Sequence, residues 1–186
     1  VVLFTNIVQF DGKVKKILAV TVVQAVEIIV ISYVVSLPFT LQFDSMFKGV
    51  GIAQNHSMIH QLLILWGLPV ILTVLLIVCI IWEKLRGGAN RSLYKLMKAI
   101  SVPDLFAIIM GLCAIGLIAI PEFVYVRDIY ENGNARANTM FKLTYQAYML
   151  FGMTMGYGIF RMLVTAKKKV FKVVSGIGLV LLCWTF

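Results

Sequence analysis

The feature that most constrains this chain is a series of apolar blocks, each long enough to cross a bilayer. They run about 17–41, 58–82, 102–120 and 143–164, and a fifth opens near Val173. A helix needs ~20 mainly apolar residues to cross the hydrocarbon core. Backbone amides cannot go unpaired in lipid, so such blocks are expected to be helices. Composition points the same way. The chain is 61% hydrophobic and 13% charged, whereas a soluble domain runs ~45–50% apolar and ~25% charged. Mean hydropathy is +0.95. The expectation is an all-α, polytopic transmembrane bundle of about five spans, forming a single membrane domain over residues 1–186. The sequence opens on Val1-Val2 without a Met and closes at Phe186, inside the apolar run 173–186. Both ends are therefore expected to be cut from a longer chain, with the fifth span shortened. The first block lacks a small-residue cleavage site and reads as a span rather than a leader.

The charges are sorted by side. With alternating spans, segments 11–16, 83–101 and 161–172 share one face of the membrane, and they carry 13 of the 17 Lys and Arg. The other face has Lys48, Arg127, Arg136 and Lys142. Basic loops mark the cytoplasmic side. This predicts a multi-pass plasma-membrane protein with the N-terminus of the chain inside and loops 42–57 and 121–142 outside. The net charge of +9 is then a topology signal and does not point to nucleic acid. Cys79, Cys113 and Cys183 lie in apolar blocks without metal-ligand or disulfide spacing, and read as small hydrophobes.

Polar residues at membrane depth need a reason. Glu27 lies near the middle of the first block. It reads either as a structural partner of Gln24 or a neighbouring helix, or as part of an ion or proton relay. Pro38 and Pro69 are expected to kink or end their helices. Gly152 and Gly156 form a small-residue pair suited to close helix packing, with Gly158 nearby. Residues 92–98 space apolar side chains between lysines, as in a short surface helix. The first outside loop offers Asp44, Ser45, Lys48, a weak Gly49-Val50-Gly51 pattern, and His56 and His60 four apart. Asn55 and Asn90 begin Asn-X-Ser sequons.

The second outside loop is richer. Asn132-Gly133-Asn134 is a turn signal. Beyond it, Asn138, Lys142 and Gln146 fall on one helical face, with Arg136 just before. A helix N-terminus with Arg and Lys suits a phosphate. Glu122 and Asp128 are the carboxylates that would act as base, hold a divalent cation or orient a sugar hydroxyl. The same residues also suit a salt-bridged cap, with Arg127, Arg136 and Lys142 pairing with Glu122, Asp128 and Glu131. The residues alone leave both readings open.

At this loop the sequence resembles a known family. Glu122, Tyr125, Asp128, the run Arg136-Ala-Asn-Thr-Met-Phe-Lys142 and Tyr145-Gln146 resemble the later motif of the prokaryotic YYY membrane proteins. Leu37-Pro38-Phe39, Phe43 and Gly49-Val50-Gly51-Ile52 resemble that family's first-loop motif. Ala137 stands where Met is common, and the name-giving tyrosine motif is absent. The chain thus looks like a C-terminal fragment of such a protein. The resemblance implies a C-type glycosyltransferase, which takes a sugar from a polyprenyl-phosphate donor at the outer face. Tyr125, Arg136, Asn138, Lys142 and Gln146 would then bind the donor and its phosphate, and Glu122 and Asp128 would position substrate or a cation. This reading expects the two outside loops to converge near the membrane surface. The alternatives are a structural or assembly subunit, or a lipid or solute transporter.

Overall fold

The computed structural model describes residues 2–10, 13–43, 49–86, 93–127 and 134–185. They form seven helices, α1 (Val2–Gln9), α2 (Val14–Gln42), α3 (Ile59–Arg86), α4 (Leu93–Ala99), α5 (Val102–Phe123), α6 (Ala137–Thr165) and α7 (Lys169–Thr185), and two short strands, β1 (Val50–Ile52) and β2 (Val124–Val126). α2, α3, α5 and α6 are each long and apolar enough to cross a membrane. α7 has 17 residues, fewer than the ~20 of a comfortable crossing. This is the all-α, polytopic architecture that the apolar blocks predict.

The chain divides into two compact units. One comprises residues 1–45 and 88–99, the other 46–87 and 100–186. In the first, α1 packs on α2, and α4 meets α1. Buried Asn6 ties the first two together. Its amide donates to Thr21 Oγ1 at 3.0 Å and to Gln24 Oε1 at 2.7 Å. Gln24 accepts from Asn6 through its side-chain oxygen, and Glu27 is exposed on α2. Pro38 lies inside α2, which continues past it to Gln42.

The second unit holds the larger core. α5 and α6 form its most extensive pair, and α3 and α7 pack against α6. Leu72, Ala114, Ala147, Phe151, Met155 and Ile159 interlock at its centre. Cys79, Met162, Ala166 and Phe171 fill the α3–α6–α7 side. Small residues set the spacing: Gly111 of α5 sits where a Cβ would lie 2.5 Å from Thr73 Cγ2 and 3.1 Å from Thr154 Cγ2. Pro69 does not end α3. One turn on, Thr73 Oγ1 donates back to the Pro69 carbonyl at 2.8 Å. The packing of glycines on α6 also differs from the motif reading. Gly158 faces Leu76, while nothing described lies within 4 Å of a Cβ on Gly152 or Gly156.

Candidate functional site

α5 ends because the chain turns extended at Val124 (φ −138, ψ 149), whose N–H returns to Ile120 O. β2 follows at once and pairs antiparallel with β1, with Val50, Gly51 and Ile52 opposite Val126, Tyr125 and Val124. Flanking bonds extend this ribbon: Ala53 N–H to Phe123 O at 2.9 Å and Arg127 N–H to Gly49 O at 2.8 Å. Gly49 has φ +104, a left-handed conformation that glycine adopts without a Cβ clash. A Cβ on Gly51 would lie 2.7 Å from the Tyr125 ring, so the bare backbone is what lets the ring lie across the ribbon. Val126 N–H donates to Thr139 Oγ1 at 3.0 Å, fastening the ribbon to α6. The two loops do converge.

Beneath the ribbon is a closed polar node built from the start of α3, the end of α5 and the start of α6. Ser57 donates to Glu122 twice, from its backbone N–H (2.7 Å, Oε2) and its hydroxyl (2.8 Å, Oε1). Arg136 Nη1 donates to Glu122 Oε2 at 2.7 Å and to Pro121 O at 3.3 Å, and Nη2 to Ser57 Oγ at 3.1 Å. The Arg136 and Glu122 side chains are 17% and 12% exposed, so water screens this pair far less than a surface pair. His56 completes the node. Its Nδ1 lies 2.8 Å from Glu122 O, and a carbonyl can only accept, so Nδ1 carries the proton.

The Arg136–Glu122 pair is one of the pairings open to the salt-bridged-cap reading. Lys142 has no ion pair among the described residues and is exposed on α6. Asp128 and Glu131 lie outside the described residues, as do Asp44, Ser45, Lys48 and Asn90. α6 begins at Ala137, six residues before the apolar block, so the segment Ala137–Lys142 forms its opening turns.

Two clefts flank the ribbon and share Tyr125. One, about 490 Å³, is polar and includes Gln54, Asn55, Asn134 and Arg136. The other, about 280 Å³, is apolar, lined by Val50, Ile120, Val124 and Leu143, with Asn138 and Lys142 among its few polar residues. A third cleft of about 380 Å³ opens beside Glu122 along Leu62, Leu65, Trp66 and Ile118. Gln146 is exposed one turn beyond Lys142 on α6, outside these linings. Both Glu122 oxygens are engaged, and among the described residues no three His, Cys, Asp or Glu gather as metal ligands.

A second node, not foreseen from the sequence, closes the opposite end of the same three helices. Arg161 of α6 donates from Nε to Asp104 Oδ1 at 3.0 Å and from Nη2 to Glu83 Oε2 at 2.9 Å. Tyr157 O–H adds 2.8 Å to Asp104 Oδ1, and Lys167 N–H reaches Glu83 Oε1 at 3.1 Å. Asp104 is 2% exposed. The signal in the sequence is Arg161 itself, a charge inside the fourth apolar block. Ser101-Val-Pro-Asp104 also has the form of a helix start, and Ser101 Oγ accepts from Asp104 N–H at 3.4 Å.

Taken together, these features define a polytopic helical membrane protein with a polar node at each end of one three-helix core. The chain belongs to the family described as uncharacterized membrane protein (DUF2298), whose model matches residues 2–103 and 92–151. The second match takes in Glu122 and the whole run from Arg136 to Gln146. No curated protein and no solved structure matches the chain.

Proposed function

We propose that the Tyr125–Arg136–Lys142 region is the donor-binding end of an integral membrane glycosyltransferase, which takes a sugar from a polyprenyl-phosphate carrier at the outer face of the plasma membrane. The observation that carries this reading is the pair of clefts meeting at Tyr125, one apolar and one polar. A polyprenyl-phosphate sugar has the same division. Its isoprenoid chain suits the groove of Ile120, Val124 and Leu143. Its phosphate suits Lys142 and Asn138 in that groove, since a lysine stem can lie along apolar surface with its ammonium at the polar edge. Its sugar suits the amides of Asn55, Gln54 and Asn134. Arg136 has five N–H donors, and its bonds to Glu122, Pro121 and Ser57 use three of them among the described residues. On this reading Glu122 holds Arg136 in place. The basic-loop asymmetry supports an outward-facing ribbon. The name of the YYY family and the view of the chain as its C-terminal part belong to the same proposal.

A structural or assembly role is the second reading. The closed pairing of Arg136, Glu122 and Ser57 favours it, because such a node caps a helix bundle without any ligand.

The test is a titration of farnesyl phosphate, against farnesol, into the detergent-solubilised protein. Lys142→Ala is the informative variant, because Lys142 holds nothing else together among the described residues. Loss of a charged contact is expected to weaken farnesyl phosphate binding about tenfold and leave farnesol unchanged. Equal binding of farnesyl phosphate by the wild type and Lys142→Ala would sink the proposal in favour of the structural role.

A further inference from the structure

The corner where α3 ends and α6 passes into α7 gathers positive charge around one tryptophan. Arg86 Cζ lies 4.8 Å and Lys168 Nζ 3.9 Å from the Trp82 ring centroid. Both line a cleft of about 130 Å³ with Trp82, Glu83, Lys167 and Phe171. Glu83 is already ion-paired with Arg161, and its other oxygen accepts from the Lys167 backbone N–H. Counting Arg86, Arg161, Lys167 and Lys168 against Glu83 and Asp104 leaves a net charge of +2 (four minus two), and Lys169 and Lys172 follow on α7. α7 also starts at Lys169, so its free first-turn amides add to the positive potential here. Like charges held this close call for an anion.

The depth of the corner says which anion. Asp104 and Glu122 are 18 residues apart on α5, or about 27 Å at 1.5 Å per residue. That nearly matches the ~30 Å hydrocarbon core. The Arg161 node, and the cleft sharing Glu83 with it, therefore lie at a membrane boundary. Trp is the residue favoured at that level, and Trp82 and Phe171 give the cleft an apolar flank. We infer that this corner binds the phosphate of an anionic phospholipid, with Arg86, Lys167 and Lys168 as its ligands and Trp82 beside the glycerol and upper acyl chain. Basic pockets between membrane helices recognise lipid headgroups by this chemistry. The site lies at the far end of the core from Tyr125 and Arg136 and stands independently of any role there.

Quenching of Trp82 by brominated lipid tests it. The full chain with Trp66→Phe and Trp184→Phe is placed in phosphatidylcholine vesicles containing a minor fraction of brominated phosphatidylglycerol or brominated phosphatidylcholine. Phosphatidylglycerol is expected to be preferred on the order of tenfold. Lys167→Gln with Lys168→Gln should bring the two lipids near parity, and the control pair Lys15→Gln with Lys16→Gln should keep the preference. If the Trp variants fold poorly, the difference between the native chain and Trp82→Phe gives the same reading. Equal quenching by both lipids in the unmodified corner overturns the assignment, as does an equal loss in the control pair. Inorganic phosphate abolishing the preference where chloride of matched ionic strength does not would also overturn it, showing a site for free phosphate.

Discussion

Arg161 and Arg136 do the same work at opposite ends of the core. Each joins α3, α5 and α6 through one guanidinium, whose planar fork can meet several oxygens at once. They differ in balance. Arg136 faces one carboxylate and a serine, whereas Arg161 faces two carboxylates, with its Nη1 buried and without a hydrogen-bond partner. Removing Arg161 would leave buried Asp104 and half-buried Glu83 without a cation. Breaking such a pair from one side costs about 3–5 kcal/mol. Arg161→Met is therefore expected to lower stability by about that much, read from the midpoint of SDS-induced unfolding in mixed micelles. Adding Asp104→Asn and Glu83→Gln should recover part of the loss. A shift below about 1 kcal/mol, as for an exposed pair, would show that the node is wet and weak. At this scale the sequence was readable in part. Arg136 and Glu122 stood out because that loop is dense in charge. Asp104 and Glu83 did not, because Glu83 directly follows one apolar block and Asp104 sits in the first turn of another, so each looks like an ordinary end-of-span residue until Arg161 is seen to reach both.

Helix contacts turn on which glycine faces what. Gly111 lies against Thr73 and Thr154. Thr73 is stiff at χ1 and bonded to Pro69 O, so it cannot swing aside without losing that bond. Gly111→Ala is expected to cost about 1–3 kcal/mol by overpacking. Gly152→Ala and Gly156→Ala have open space and should stay within about 0.5 kcal/mol. The same unfolding midpoints check this, and a Gly156→Ala loss as large as that of Gly111→Ala would place a packed neighbour on the exposed face of α6. Spacing alone singled out Gly152 and Gly156. It could not separate a glycine facing a helix from one facing away, because that depends on the rotation of α6 about its axis. Similarly, the three-residue strands carried too little pattern to be seen, and their pairing rests on Gly51 making room for Tyr125.

On the scale of the whole second unit, the two nodes define the ends of its three-helix core. They use the same three helices and stand about one hydrocarbon thickness apart along α5. The arrangement makes α3 and α6 parallel and α5 antiparallel to both, as a chain crossing back and forth requires. The excess of Lys and Arg in segments 11–16, 83–101 and 161–172 predicts that the ribbon end faces outward and the Trp82 corner inward. In a chain whose three native cysteines are replaced by alanine, Asn55→Cys should be labelled by an impermeant maleimide added outside intact cells. Lys167→Cys should be labelled only after permeabilisation. The reverse pattern would invert the orientation and move the proposed donor site to the cytoplasm.

The amino-acid sequence by itself determined that this is a helical membrane protein and roughly where its helices run. Those properties follow from the length of apolar runs and the need to pair every backbone amide in lipid, and both are local. Which polar residues meet was decided only by the tertiary structure. Glu122 lies 65 residues from Ser57 and 14 from Arg136, and Arg161 lies 57 from Asp104 and 78 from Glu83. No periodicity connects such positions. They come together because packing of α3, α5 and α6 fixes each helix's rotation and depth, and a charge at the rim of an apolar core must then find a partner within reach.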